Sequence, residues 1–161
     1  MNKKILIILP AVFALSSCTE SGKKINFFSF NSEEEKIEHD YVEISEYKIN
    51  WEEIFQVQSD NYFAYFYSLT CGHCKNLKNS VIEYALKNKN LYFLEANEKI
   101  VIEKDVTHTI GAVSVEEMAI LGYPSLINIQ QGVCVFNVAG EKVIISKLNL
   151  WVIYKLMVKY Y

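Results

Sequence analysis

The spacing of apolar and polar residues changes period several times along this chain, and each change marks an element. "YVEIS", Tyr41 to Ser45, alternates Val42 and Ile44 with polar residues, which predicts a short strand. In "INWEEIF", Asn50 and Glu53 have the spacing of a capping box, with Ile49 and Ile54 as a hydrophobic staple, so a short helix should start at Trp51. "NYFAYFYS", Asn61 to Ser68, is nearly continuous aromatic and apolar sequence, the pattern of a strand buried on both faces. Beyond it Leu77, Val81, Tyr84 and Ala85 recur at helical spacing, predicting a helix from about Cys71 to Asn88. "LYFLEA", Leu91 to Ala96, reads as a second core strand, and strand–helix–strand implies parallel pairing through a right-handed crossover. Ser114 and Glu117, with Val113 and Met118 as staple, predict a short helix ending at Gly122. Tyr123 to Ile129 and Val133 to Gly140, joined through "QQG", read as an antiparallel hairpin. A last helix is expected from a Ser146 cap through Tyr160, with Leu150, Trp151, Tyr154 and Met157 as its apolar face. A parallel core with an added antiparallel hairpin is an α/β fold of the mixed-sheet kind.

At 161 residues, 51% of them hydrophobic, the chain has material for one packed core. The net charge is -3, and all sixteen basic residues are Lys. Without Arg, the residue best suited to bidentate phosphate and base recognition, and without a basic stripe, no nucleic-acid partner is expected.

The N-terminal stretch has the layout of an export signal. Lys3 and Lys4 precede an apolar run from Ile5 to Leu15, too short to span a membrane comfortably. The run ends in "LSSC", Leu15 to Cys18, which resembles the lipobox of bacterial lipoproteins. The resemblance implies a signal peptide over residues 1–17, cleavage before Cys18, and lipidation of Cys18, with the mature protein anchored outside the cytoplasm. An ordinary secretory signal with an incidental cysteine is the alternative. Residues 18–40, rich in Ser, Asn and Glu and interrupted by Phe27, Phe28 and Phe30, read as a tether. The folded domain is then 41–161. Outside the cytoplasm paired thiols can oxidise and remain oxidised.

Two cysteines stand close together in "SLTCGHCKNLK", Ser68 to Lys78. Cys71 follows a buried strand and opens a helix, where unpaired N–H groups and the helix dipole favour a thiolate. Such placement lowers a cysteine pKa from about 8.5 to about 3.5–7.5. Cys74, one turn on, shares that face and lies deeper. One accessible nucleophile and one recessed resolving thiol are what thiol–disulfide exchange requires.

"CGHCK" after a strand resembles the active-site motif of the thioredoxin-fold oxidoreductases, in the Gly-His form found in protein disulfide isomerases. The resemblance spans Tyr41 to Tyr161 and implies a thioredoxin-like fold, a mixed central sheet flanked by helices. It makes Cys71 and Cys74 the redox pair, with Gly72 and His73 between them, and calls for no cofactor or metal beyond that disulfide. "GYPS", Gly122 to Ser125, falls where the family has a cis-proline loop, which implies a cis Tyr123–Pro124 bond and a Tyr123 backbone that pairs with substrate. Gly140 falls where a family glycine keeps the substrate groove open. His73, when protonated, can stabilise the Cys71 thiolate and make the disulfide more oxidising. Disulfide isomerase and thioredoxin differ by about 90 mV, or about 4 kcal/mol, enough to reverse electron flow. Alternatively His73 is only an exposed first-turn residue.

The chain also departs from the family pattern. Thr70 replaces the usual Trp before the first cysteine. Tyr65 stands where a buried carboxylate usually shuttles protons for the second cysteine, and Phe93 and Leu94 stand where a Lys is common. A Tyr, with a pKa near 10, accepts protons poorly at neutral pH, which leaves water or Glu95 as acceptors. Asn79 replaces a helix proline, so that helix should run unkinked. Asn97 to Ala112 is a longer connection than usual, either shaping partner choice near the site or an ordinary surface insertion. His39 and His108 read as surface residues, and Cys134 as a small buried hydrophobe.

The leading expectation is an exported, membrane-tethered thiol–disulfide oxidoreductase. Its partners would be exported thiol or disulfide proteins, a membrane redox partner, and the membrane itself through lipid on Cys18. Two other functions stay open. One is a binding or accessory protein with little turnover. The other is a metal-binding protein, for which a single CxxC supplies too few ligands to close a zinc site.

Overall fold

The computed structural model describes residues 37–160. The expected signal peptide, Cys18 and most of the expected tether lie outside them. Four strands form one mixed sheet in the order β2-β1-β3-β4, with β1 Asn61–Tyr67, β2 Leu91–Glu95, β3 Ser125–Gln130 and β4 Val133–Ala139. Two helices accompany it, α1 Gly72–Asn88 and α2 Glu141–Tyr160. Strand β1 pairs parallel with β2 and antiparallel with β3, and β3 pairs antiparallel with β4. This is the thioredoxin-like α/β arrangement that the sequence implied.

Strand β1 lies between two neighbours and is covered on both faces, which is why its sequence lacks polar alternation. Phe63, Tyr65 and Tyr67 face a core shared with Leu77, Val81 and Tyr84 of α1 and with Ile144 and Leu148 of α2. Tyr62, Ala64 and Phe66 face a second core with Trp51, Ile54, Ile100, Met118 and Ile120. Burying each large side chain contributes roughly 1.5–3 kcal/mol before the entropy of ordering it is counted. The 17-residue α1 runs without interruption through Asn79. It ends at Lys89, whose left-handed φ of 54° turns the chain toward β2.

Several local expectations gave way to tertiary contacts. "YVEIS" is not a strand. The Asp40 side chain accepts the Val42 N–H at 3.1 Å and curls the chain into a turn, followed by a 3-10 turn at Ser45–Tyr47. Strand-like pairing comes later, as a single parallel bridge between Lys48 and Phe93. The helix expected at Trp51 is a single 3-10 turn, Trp51–Glu53, with its capping box formed.

At Ser114 the box fails. Glu117 accepts the N–H of Val113 at 3.0 Å, not that of Ser114. Only one turn forms, Val115–Glu117, because the chain must extend to bury Met118 and bridge Ile120 to Ile102. Val113, expected to staple with Met118, is exposed.

Helix α2 begins at Glu141, not at Ser146. Gly140, with φ +94°, ends β4, and its carbonyl accepts the Ile144 N–H at 3.1 Å to open the helix. The packed stripe is therefore Ile144, Ile145, Leu148, Trp151 and Val152. Of the predicted face only Trp151 belongs to it, and Leu150, Tyr154 and Met157 are exposed. Among the described residues no helix is long and apolar enough to cross a membrane.

Candidate active site

Three chain segments meet at the C-terminal end of β1. The loop after β1 delivers Cys71, the entry to β3 delivers Tyr123 and Pro124, and the exit of β4 delivers Gly140 and Glu141. Cys71 is the N-cap of α1, in extended conformation at φ −84° and ψ 117°. Its Sγ accepts the N–H of Cys74 at 3.2 Å, satisfying one of the free donors of the first turn. The same thiol donates to the Tyr123 carbonyl at 3.4 Å. The cysteine motif and the proline loop, 52 residues apart, are thus in direct contact.

Both cysteines are free thiols here. Cys71 is partly exposed, whereas Cys74 is only 1% exposed. Burial, then the hydrogen bond and charge of Cys71, push the Cys74 thiol up to about 12, although backbone at Ser68 pulls the other way.

The core that holds Cys74 is aromatic where a carboxylate was absent from the sequence. Tyr41 stacks on Tyr67 with centroids 4.1 Å apart, and Tyr65 lies parallel to Tyr67 at 6.2 Å. Phe93 packs in T-shaped geometry against all three. The hydroxyls of Tyr41 and Tyr65 are buried and meet no hydrogen-bond partner in the protein. Burial, followed by the charges of neighbouring tyrosine and cysteines, raises the Tyr65 pKa far above its ordinary value, so it cannot take a proton from Cys74. Glu95, the other candidate acceptor, receives a hydrogen bond from Tyr67 at 3.2 Å.

His73 is 75% exposed, yet it is not idle. Its Nδ1 lies 2.7 Å from Glu141 Oε1, and the same oxygen accepts from Asn76 Nδ2 at 2.9 Å. These contacts hold the Glu141 carboxyl below the usual carboxylate range, His73 contributing most. The imidazole bonds Glu141 rather than either cysteine.

The Tyr123–Pro124 bond is cis. The Gly140 N–H donates to the Pro124 carbonyl at 3.1 Å and ties the end of β4 to the proline loop. A Cβ at Gly140 would meet open space, so its left-handed φ, not crowding, calls for glycine. Gly72 likewise has open space around it. A shallow groove borders the site, lined by His73, Asn76, Tyr123, Pro124, Gly140 and Glu141 among others.

Sequence reasoning missed two residues. Glu141 follows directly on Gly140, so the family pattern already placed it at the groove, but nothing local announced its partner. Tyr41 was read as strand and is instead a core ring beside the redox pair.

Other expectations fall away from the site. No residue of 97–112 lines the groove. Gly111 and Ala112 instead exchange backbone hydrogen bonds with Cys134. Cys134 is buried, its thiol pushed up to about 11 by burial, at the end of β4 remote from Gly140. His108 is exposed, whereas His39 is largely covered and its N–H donates to Asn79 at 3.1 Å. Among the described residues no group of three or more His, Cys, Asp or Glu could hold a metal ion.

The fold and the capped dithiol define a thioredoxin-fold protein. The thioredoxin family model matches residues 41–150, and the chain belongs to that family, a class of thiol–disulfide oxidoreductases. Solved structures similar to it include mitochondrial thioredoxin 3 from Saccharomyces cerevisiae, with 16% identity over 63% of this chain and 91% of that one, at a TM-score of 0.42. Thioredoxin from Trypanosoma brucei brucei shares 20% identity over 66% and 90%, also at 0.42. Thioredoxin NaTrxh from Nicotiana alata shares 19% over 67% and 91%, at 0.44. No curated protein sequence matches the chain.

Proposed function

We propose that this protein is an exported, membrane-tethered thiol–disulfide oxidoreductase that exchanges disulfides with extracytoplasmic proteins through Cys71 and Cys74. The observation that carries the reading is the asymmetry of the pair. Cys71 caps a helix at the edge of a groove and touches the proline loop, while Cys74 is buried one turn behind. In the reducing direction the Cys71 thiolate attacks one sulfur of a client disulfide. An S–S bond forms to Cys71, the client bond breaks, and a client thiolate leaves. Cys74 gives up its proton to solvent and attacks Cys71 Sγ, releasing the second client thiolate. Two electrons pass to the client and the Cys71–Cys74 disulfide closes. The reverse sequence oxidises a client dithiol.

Tyr123 and Pro124 would align the client backbone, and Gly140 would leave room for it. A lipid on Cys18 would hold the domain at the membrane, where a membrane redox partner recharges the pair. No cofactor besides the disulfide is needed, and no nucleic acid takes part.

Trapping tests the reading. Cys74→Ala should accumulate mixed disulfides with exported proteins, reversed by reductant and lost in Cys71→Ser/Cys74→Ala. A folded Cys74→Ala protein with Cys71 open to alkylation and no adducts would sink the exchange role. The suppressed acidity of Cys74 favours a second reading, a binding or accessory protein with little turnover. Insulin reduction or disulfide isomerisation no faster than Cys71→Ser would select it.

A further inference from the structure

The His73–Glu141 contact crosses the groove between two elements that the sequence keeps 68 residues apart. His73 sits between Cys71 and Cys74 in the first turn of α1, so a positive charge on its imidazole would favour a thiolate there. Glu141 opens α2 immediately after Gly140, whose N–H is tied to the Pro124 carbonyl, so its backbone is fixed relative to the proline loop. Asn76, one turn beyond His73, donates to the same carboxylate oxygen. Glu141 therefore clamps the first turn of α1 from the opposite wall of the groove.

We propose that Glu141 is a positioning residue for the dithiol: it holds the His73 imidazole across the groove and cancels its charge, making the Cys71–Cys74 pair less oxidising than the Gly-His dipeptide alone would make it. The charge argument runs through protonated His73. With Glu141 present that pair carries no net charge; without it, the imidazolium stands alone at +1. Removing Glu141 therefore makes the surroundings of Cys71 more positive, and a more positive field stabilises a thiolate and hence the reduced form. Other ionisable groups around the clamp and the thiols include Lys142 on α2, Tyr65 on β1, Tyr123 in the proline loop, Tyr41 in the core behind them, and the two thiols. Lys142 favours ionised Glu141. The thiols and tyrosines add no positive charge.

This role rests on the exchange reading above, and the test separates the two. The equilibrium between the purified protein and a glutathione buffer at pH 7 is measured for the wild type, Glu141→Gln, Glu141→Ala, His73→Ala and His73→Ala/Glu141→Gln. Glutamine keeps the shape and the contact with Asn76 but removes the charge. Both Glu141 variants should lower the equilibrium constant for closing the disulfide about two- to fivefold, up to about 20 mV more oxidising, in line with a partly exposed ion pair. The thermal midpoint of Glu141→Gln should stay within about 2 °C of wild type, as expected of an exposed substitution. In the His73→Ala background the Glu141→Gln effect should fall to less than half. No shift, a shift toward reducing, or an equal shift in both backgrounds overturns the inference. A lowered midpoint with an unmoved equilibrium overturns it too, since it marks a structural role. A wild-type pair that never closes overturns the exchange reading itself and this role with it.

Discussion

Cys74 is the residue at which the chemistry of this site should be slowest. Resolution of a mixed disulfide needs its thiolate, and burial holds that thiol up at about 12. Once Cys71 is tied up with a client, the contributions of its hydrogen bond and charge disappear, but burial, the largest cause, remains. The resolving step should therefore accelerate with pH, by close to tenfold per unit from pH 7 to 9, because the thiolate fraction rises in that proportion below the pKa. Stopped-flow decay of a mixed disulfide between Cys71 and a chromogenic thiol would report it. A flat profile would reveal a proton acceptor at the site, a role for which Glu95 is the candidate and Tyr65 is not. The same raised pKa links to stability. The folded dithiol keeps its full contribution from Cys74 below the unfolded pKa, about 8.5, and loses it as pH rises toward 12.

Among the elements, the β3–β4 hairpin sets the far wall of the groove, and its turn is built against its sequence. Gln131 and Gly132 both take positive φ, 50° and 77°. That is the geometry of a type I′ turn, in which Asn-Gly is the preferred pair and a Gln in the left-handed region is strained. Gln131→Asn should stabilise the protein by about 0.5 kcal/mol, seen as a raised urea midpoint with an unchanged slope. A lowered midpoint would mean that the Gln side chain contributes more than the turn backbone.

For the whole molecule, the site depends on α2 lying against the sheet, since α2 carries Glu141. Ile144 and Leu148 insert beside Phe63 and Tyr65 in the core shared with α1, and Ile144 is fully buried. Ile144→Ala should cost about 2–5 kcal/mol, the lost burial plus the cavity left behind. Equilibrium urea denaturation followed by Trp fluorescence would measure it. A loss under about 1 kcal/mol would mean that α2 can repack or is only loosely held.

What the sequence determined by itself was the elements whose periodicity and caps tertiary contacts did not override. The buried strands β1 and β2, the helix opened by Cys71, the hairpin and the parallel crossover were all legible, because strand burial and helix starts are written in periodicity and caps. The likeness of "CGHCK" and "GYPS" to one family named the same site twice, and the structure brings Cys71 against Tyr123. Tertiary structure decided the rest. Tyr41 abandoned a strand pattern because its ring could stack on Tyr67, and the Ser114 box opened because Met118 and Ile120 had to reach the second core. Helix α2 began early because the backbone at Gly140 turned it there. The partner of His73 could not be read from local spacing, since only the fold brings residues 73 and 141 together.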